Sequence, residues 1–145
     1  MVPAKRHRVT RGEDYRFAVR TGRRVGGAYC ITHAVLRSPT GRLDASSQAG
    51  APAGGGERAE GSDPVPPARF GFIISKAVGN AVTRNLVRRR MKSVVERRIR
   101  SGIRGVDVVF RALPAAAGAP FSELEREMNR ALDRVERELV AGEQR

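Results

Sequence analysis

The spacing of apolar residues along the chain predicts three helices and three strands, with a weak fourth strand over 23–25. The first helix begins near Arg11, because Thr10 and Glu13 have the spacing of a capping box, and Gly22 provides a stop. One face of this helix carries Tyr15, Ala18 and Val19, which are spaced at i, i+3 and i+4.

The predicted strands alternate or are apolar throughout. Residues 28–36, AYCITHAVL, form the first. One of its faces presents Tyr29, Ile31 and His33, and the other presents Cys30, Thr32 and Ala34. Two more strands follow over 70–75 and 106–110. Between the first strand and the second, residues 38–68 are rich in Gly, Ala, Pro and Ser without periodicity, which predicts a flexible loop inserted in a single domain over 1–145.

The central helix is predicted over 81–99, after a turn that contains Gly79 and Asn80. At about 100° per residue, its core face consists of Val87, Met91, Val94 and Val95. Leu86 lies nearly opposite this face, so we expect it to be exposed. The basic residues of the helix spread over its flank.

The last helix follows a linker over 113–120, and Ser122 with Glu125 again has capping-box spacing. Its buried residues at helical spacing are Leu124, Met128, Ala131, Leu132, Val135 and Leu139. Because residues 121–145 carry seven acids against five basic residues, we expect an acidic surface turned away from any polyanion.

The net charge of +13 and the pI of about 11.5 indicate a polyanionic partner. Residues 1–9 form a basic arm that we expect to be loosely held. No apolar run approaches the length of a membrane span and the N-terminus lacks a signal-peptide core, so no membrane partner is predicted. Cys30 is the only cysteine, which is consistent with a cytoplasmic location and leaves no Cys/His zinc site.

The turn and the start of the central helix combine three ways of binding phosphate. Backbone amides at the helix N-terminus attract anions. Arg84, Arg88 and Lys92 follow one another at i, i+4, and Asn80 and Asn85 add amide donors. The alternative is an ordinary amphipathic helix with solvated arginines.

The same stretch resembles the signature of the bacterial ribonuclease P protein subunit, approximately R-x-G-x-x-V-S-K-K-x-G-N-A-V-x-R-N-R-x-K-R. The matching run is RFGFIISKAVGNAVTRN, over 69–85, followed by the Arg/Lys cluster. Two positions depart from the signature, since Leu86 replaces an arginine and Ala77 a lysine. Arg89 or Arg90 is expected to take over part of the role of the missing arginine.

The resemblance implies a small α/β sandwich of order α-β-β-β-α-β-α, with the central helix in a left-handed crossover between parallel strands. It implies an RNA-based endonuclease that removes the 5′ leader of precursor tRNA, in which Mg2+ and the chemistry belong to the RNA subunit. No side chain is then catalytic and no metal site or protein partner is predicted. The residues expected to bind the catalytic RNA are Lys76, Asn80, Arg84, Asn85, Arg88, Arg89 and Lys92.

The precursor leader is expected in a groove between the first helix and the sheet. The residues assigned to it are Tyr15, Val19, Tyr29, Ile31 and His33. Aromatic faces stack on unpaired bases with little sequence preference. The alternative is that Tyr15 and Val19 only pack on the sheet.

Other functions are weaker alternatives. A catalytic role for His33 lacks a neighbouring nucleophile, and Asp14 and Asp107 are interpreted as a first-turn helix acid and a strand residue with a structural partner, rather than as metal ligands. The rival functions are a ribosomal or RNA-assembly scaffold with no role in tRNA processing, and a stand-alone metal nuclease.

Overall fold

The computed structural model describes residues 7–37 and 66–140, with side chains to Leu139. Its main elements are α1 (Gly12–Thr21), β1 (Arg23–Val25), β2 (Cys30–Leu36), β3 (Arg69–Ile73), α2 (Ala81–Arg100), β4 (Val106–Ala112) and α3 (Phe121–Val135). A 3-10 turn, Pro114–Gly118, lies in the predicted linker, and a π-helical turn, Glu136–Val140, continues α3. The predicted order α-β-β-β-α-β-α is confirmed, including the weak strand β1.

The four strands form one sheet in the order β1-β2-β4-β3. The β1–β2 and β2–β4 pairs are antiparallel, whereas β3 and β4 are parallel neighbours joined through α2. The left-handedness of this connection stays a prediction.

The register across the sheet separates two faces. Cys30 and Ala34 in β2 share one face with Phe70 in β3 and Val108 and Phe110 in β4, and this face belongs to the hydrophobic core with α2 and α3. The opposite face, here called the α1 face, has two rows of paired residues. They are Gly71–Val109–His33–Arg24 and Ile73–Arg111–Ile31. The alternation predicted for residues 30–34 is therefore confirmed.

Helical periodicity located the core residues of α2 and α3. Val87, Met91, Val94 and Val95 are the buried residues of α2, as predicted. Five of the six predicted core residues of α3 are buried, and Leu139 packs partly buried against the core.

Both predicted capping boxes are wrong. The N-cap of α1 is Arg11, and the N-cap of α3 is Pro120, and neither makes a side-chain capping bond. Thr10 therefore precedes the cap, and Ser122 lies inside the first turn. The fixed φ of Pro120 suits the extended backbone at an N-cap, so a capping side chain is not what starts α3.

Gly22 ends α1 as predicted, but the cause is close packing. Its φ is −76°, a value open to any residue. A Cβ atom at this position would lie 2.4 Å from the Ala18 oxygen and 2.8 Å from the Ala34 oxygen. Glycine is needed because the end of α1 lies directly against β2.

The acids of α3 do not form the expected free acidic surface. Arg97 contacts Glu125, and Arg98 binds Asp133 at 2.8 Å and Glu136 at 2.6 Å. The prediction treated these carboxylates as unpaired surface charges, because composition does not show ion pairs. In the structure, arginines of α2 are their partners.

The residues before α1 are held more firmly than expected. Val9 is buried and its amide donates to the Phe70 oxygen at 2.9 Å, while Arg8 forms a parallel bridge with Phe70. The expectation of a loose arm is wrong for these two residues. Of the predicted loop, 38–65 lies outside the described residues, and Ala68 at its end is buried.

A buried ion network ties the start of α1 to the sheet. The Arg69 guanidinium donates to both oxygens of Asp107, at 2.9 and 2.6 Å, and to Asp14 at 3.3 Å. Arg37 Nε lies 3.5 Å from Asp107. Asp107 raises the pKa of Arg69 mainly by hydrogen bonding. Both aspartates thus have the structural positions predicted for them.

Candidate nucleic-acid interface

The turn before α2 is built by side chains that were predicted to bind RNA. Asn80 is the N-cap, and its Oδ1 accepts a hydrogen bond from the Thr83 amide at 2.9 Å. Arg84 Nε donates to the Gly79 oxygen at 3.0 Å. Gly79 has φ +157°, and a Cβ there would lie 2.8 Å from the Thr83 side chain. These bonds fix the amide end of α2.

The other residues predicted to bind RNA lie in this turn and along one flank of α2. We call them the α2 basic surface: Lys76, Arg84, Asn85, Arg88, Arg89 and Lys92. Lys76, Asn85 and Arg89 are exposed, and the other three are partly exposed. Arg88 donates to Asn85 Oδ1 at 3.2 Å. Among the described residues, none of the five Lys and Arg side chains of the α2 basic surface has a carboxylate partner. Their positive charge is therefore available to an outside anion.

The later arginines of α2 are used differently. Besides the ion pairs of Arg97 and Arg98 with α3, Arg90 donates to the Ala119 oxygen at 3.1 Å. Arg90 is therefore committed to the fold, whereas Arg89 remains free to take over the role of the missing arginine.

Leu86 is exposed as predicted, at 37% of its surface, and Val82 one turn earlier is exposed at 78%. These are the large exposed apolar residues of the described chain. They give the beginning of α2 an apolar strip beside its cations.

Tyr15 lies on the α1 face of the sheet, directly over Gly71. A Cβ atom at Gly71 would be 2.6 Å from Tyr15 Cε1 and 2.7 Å from its hydroxyl oxygen. The missing side chain of Gly71 is what lets the tyrosine approach the strand. Tyr15 and Val19 are both partly exposed, and Ala18 between them is fully buried. One side of Tyr15 therefore packs on the sheet while part of it faces solvent.

His33 lies two strands away from Gly71, across Val109. It is 5% exposed, and neither ring nitrogen has a hydrogen-bond partner. Burial lowers the pKa of His33, and the neighbouring guanidiniums of Arg24 and Arg111 lower it further. The imidazole is thus held neutral below two exposed cations.

Tyr29 does not join this group. It stands in the bend before β2, packs against the core beneath α3, and donates its hydroxyl hydrogen to Glu123 at 2.6 Å. This hydrogen bond raises the pKa of Tyr29. Strand alternation placed it with Ile31 and His33, but β2 begins only at Cys30, so the alternation does not extend to Tyr29.

The structure adds residues that the site prediction missed. We define the α1 groove as Tyr15, Val19, Ile31 and His33 together with Arg24, Gly71, Ile73 and Arg111. Alternation along β3 and β4 was a usable signal, because Gly71 and Ile73 share a face with Arg111. Arg24 was harder to find, since β1 is only three residues long.

The described residues contain no group of three or more His, Cys, Asp or Glu side chains able to hold a metal ion. Asp14 and Asp107 are both bound by Arg69 and so do not fit Mg2+. Burial raises the pKa of the Cys30 thiol to about 12. Within the described ranges, no helix is long and apolar enough to cross a membrane.

Comparisons with known proteins agree with one another. A family model described as Ribonuclease P matches residues 4–136. The ribonuclease P protein component of Clavibacter michiganensis subsp. michiganensis is 42% identical over 134 residues, covering 92% of this chain and 96% of that protein. That of Streptomyces bikiniensis is 42% identical over 135 residues, covering 93% and 95%.

Solved structures show the same fold. The ribonuclease P protein of Staphylococcus aureus superposes with a TM-score of 0.64 at 17% identity, over 89% of this chain and 94% of that chain. The Thermotoga maritima protein gives a TM-score of 0.63 at 16% identity, over 89% and 97%. At these identities the structural likeness concerns the fold alone.

Proposed function

This chain belongs to the ribonuclease P family, as the protein component of that endoribonuclease, and from this premise we propose how its surfaces divide the RNA. The α2 basic surface binds the catalytic RNA, and the α1 groove binds the 5′ leader of precursor tRNA. The complex then removes the leader in the cytoplasm.

The assignment of the α2 basic surface to the catalytic RNA is supported by a contrast in ion pairing along α2. The five cations of the α2 basic surface have no carboxylate partner among the described residues, although α3 places several carboxylates beside the same helix. A guanidinium group can donate two parallel hydrogen bonds to phosphate oxygens. An arginine without a carboxylate partner can do so without first breaking an ion pair. The Asn80-capped amide end of α2 adds the favourable end of the helix dipole.

The α1 groove supports leader binding through a different chemistry. Tyr15 offers part of an aromatic ring to an unpaired base. His33 lies buried beneath the groove, and its lowered pKa favours the neutral ring, so it forms an uncharged part of the floor. Arg24 and Arg111 are exposed above it, where they can contact the backbone of a single strand. None of these contacts requires one leader sequence.

The hydrolysis itself is assigned to the RNA subunit with Mg2+. The acids near the groove, Asp14 and Asp107, are held by Arg69 and are not poised as bases or ligands. Within this proposal the protein positions RNA and supplies positive charge.

Reconstitution tests the assignment. The protein is mixed with a ribonuclease P RNA and labelled precursor tRNA at low magnesium, and cleavage is compared with that by RNA alone. We expect strong stimulation by the protein. No stimulation would favour the RNA scaffold, and cleavage by protein alone would favour the metal nuclease.

The leader assignment is tested by Gly71→Ala against Gly118→Ala. The first substitution pushes on the Tyr15 ring, whereas a Cβ at Gly118 meets nothing within 4 Å. We expect Gly71→Ala to weaken binding of precursor tRNA but not of leaderless tRNA, and Gly118→Ala to change neither. Tyr15→Leu should reproduce the Gly71→Ala result. Equal losses for both substrates would remove Tyr15 from the leader contacts.

A further inference from the structure

We propose that α3 carries a second binding site for RNA phosphates, in a groove between α3 and the β1–β2 connection. It is separate from both surfaces described above, and it rests on the proposed function only in taking RNA as the partner. The groove is a cavity of about 550 Å3. The residues that define this α3 groove are Gly26, Gly27, Thr32, Arg130, Arg134 and Arg137.

The arginines of α3 form a ridge. Arg126, Arg130 and Arg134 follow at intervals of four residues and Arg137 comes three later, so all four lie along one side of the helix. All are exposed. Of the acids that pair with α2, Glu136 lies farther round the helix, whereas Asp133 borders the ridge beside Arg126 and Arg130. The ridge therefore has the ion pairs with α2 along one edge and the α3 groove along the other.

The two carboxylates in the groove wall already interact with other groups of the protein. Glu127 accepts three backbone hydrogen bonds, each 2.9 Å long, from the amides of Ala28, Tyr29 and Cys30. Glu138 lies 2.5 Å from Arg23 and 2.9 Å from Arg134. These interactions stabilise both carboxylates, and those of Glu127 also fix the β1–β2 connection against α3.

Two of the three arginines of the groove are less committed. Arg130 and Arg137 have no carboxylate partner among the described residues, as for the cations of the α2 basic surface. Thr32 lines the same cavity, is 1% exposed, and its hydroxyl oxygen has no hydrogen-bond partner. Gly26 leaves open space where a side chain would stand. Two exposed guanidiniums along an open groove, with an unpartnered hydroxyl buried in its floor, fit a phosphodiester.

The position of the groove gives it a distinct role. The α3 groove opens beside β1, at one edge of the sheet, whereas β3 leads into α2 at the other edge. An RNA bound there would be contacted at both edges of the protein. The phosphates can come from the catalytic RNA or from the precursor tRNA, and these sources give different results below.

The test compares two double variants that each remove two positive charges. Arg130→Gln/Arg137→Gln empties the α3 groove of its free cations. The control, Arg11→Gln/Arg100→Gln, removes two arginines that are 68% and 69% exposed outside the groove. For each protein, dissociation constants are measured over a salt series, first for the catalytic RNA and then for precursor tRNA on the assembled complex.

We expect the groove variant to weaken one of these two steps by about three- to ten-fold and to lower its salt slope by about 1.4 to 1.8, because each lost phosphate contact removes about 0.7 to 0.9. Loss in the first step identifies the catalytic RNA as the source, and loss in the second identifies the substrate. Slopes equal to those of the control in both steps would overturn the proposal.

Two further measurements keep the result interpretable. Thr32→Val preserves the shape of the side chain, and we expect it to weaken the same step by about two- to five-fold through loss of one hydrogen bond. An unchanged affinity for this variant would exclude the hydroxyl and contradict the site as described. Arg88→Gln on α2 reports on the proposed function independently, since its failure to weaken RNA binding would reject that function and leave the α3 result standing.

Discussion

The two halves of α2 use the same residue type for opposite purposes. In the first half, Arg84, Arg88 and Arg89 have no carboxylate partner in the described part of the chain. In the second half, Arg97 and Arg98 are paired with carboxylates of α3. The difference lies in what each half faces and not in the arginines themselves. A basic helix can therefore be divided into binding and structural residues only when its neighbours are known.

The largest effect should come from breaking the structural half. Arg98 is 15% exposed and binds both Asp133 and Glu136. We expect Arg98→Ala to lower the free energy of unfolding by about 1–2 kcal/mol, because two charge-assisted hydrogen bonds are lost. The loss is moderate because water can still solvate the two carboxylates. Urea denaturation measures this change in the free energy of unfolding. The control Arg97→Ala, at a more exposed pair, should cost no more than about 0.5 kcal/mol. Equal losses would mean that burial does not distinguish the two arginines.

The start of the binding half can be separated into capping and phosphate binding. Asn80→Ala should cost about 1 kcal/mol of stability, since the Thr83 amide loses its acceptor. Asn80→Asp keeps an acceptor at the cap but places a negative charge where phosphate is expected. We expect thermal melts near wild type for Asn80→Asp together with weaker RNA binding. Unchanged RNA affinity would show that this end of α2 does not contact the RNA.

A substitution can also strengthen the binding half. Leu86→Arg adds a cation to an exposed position, and leucine and arginine have similar helix propensities, so stability should not change. We expect RNA affinity to rise by about two- to five-fold, measured by equilibrium titration, from one added phosphate contact. Ser101→Arg adds the same charge at the far end of α2 and should have no such effect. A gain of equal size there would indicate nonspecific attraction.

The smallest effect concerns pH and lies outside α2, because guanidinium groups do not titrate near neutrality. The folded pKa of His33 is lowered, so the unfolded chain takes up its proton first as pH falls. Stability from this group is complete above its unfolded pKa of about 6.5 and is lost as pH falls from there toward the folded value. Melting temperatures between pH 8 and 5.5 should fall more for the wild type than for His33→Gln. Parallel profiles would contradict this account of His33.

Periodicity was sufficient for the main elements and the core. The buried face of α2, the exposure of Leu86 and the core of α3 all followed from helical spacing, because burial on one side imposes that spacing. The resemblance supplied the element order, which the structure bears out.

Local motifs were less reliable than periodicity. Both capping boxes failed because the helices begin at Gly12 and Phe121. A capping motif decides where a helix starts only if the tertiary fold leaves that choice open. Tyr29 was misplaced for a related reason, since the backbone bends before β2 and turns its side chain to Glu123.

Pairing of charges between distant parts of the chain could not be predicted from the sequence. The partners of Arg98 are 35 and 38 residues away, and those of Glu127 are backbone amides nearly 100 residues earlier in the chain. Net charge by segment therefore misjudged α3, whose acids are paired internally and whose arginines face outward.

The most direct test of the division within α2 is the salt dependence of catalytic-RNA binding for Arg88→Gln and Arg97→Gln. Both variants make the same substitution on the same helix, at one unpaired and one paired arginine. We predict that Arg88→Gln lowers the slope of log K against log salt by about 0.7 to 0.9, the value of one phosphate contact, and that Arg97→Gln leaves it unchanged. Equal slopes for the two variants would contradict the assignment of the first half of α2 to RNA.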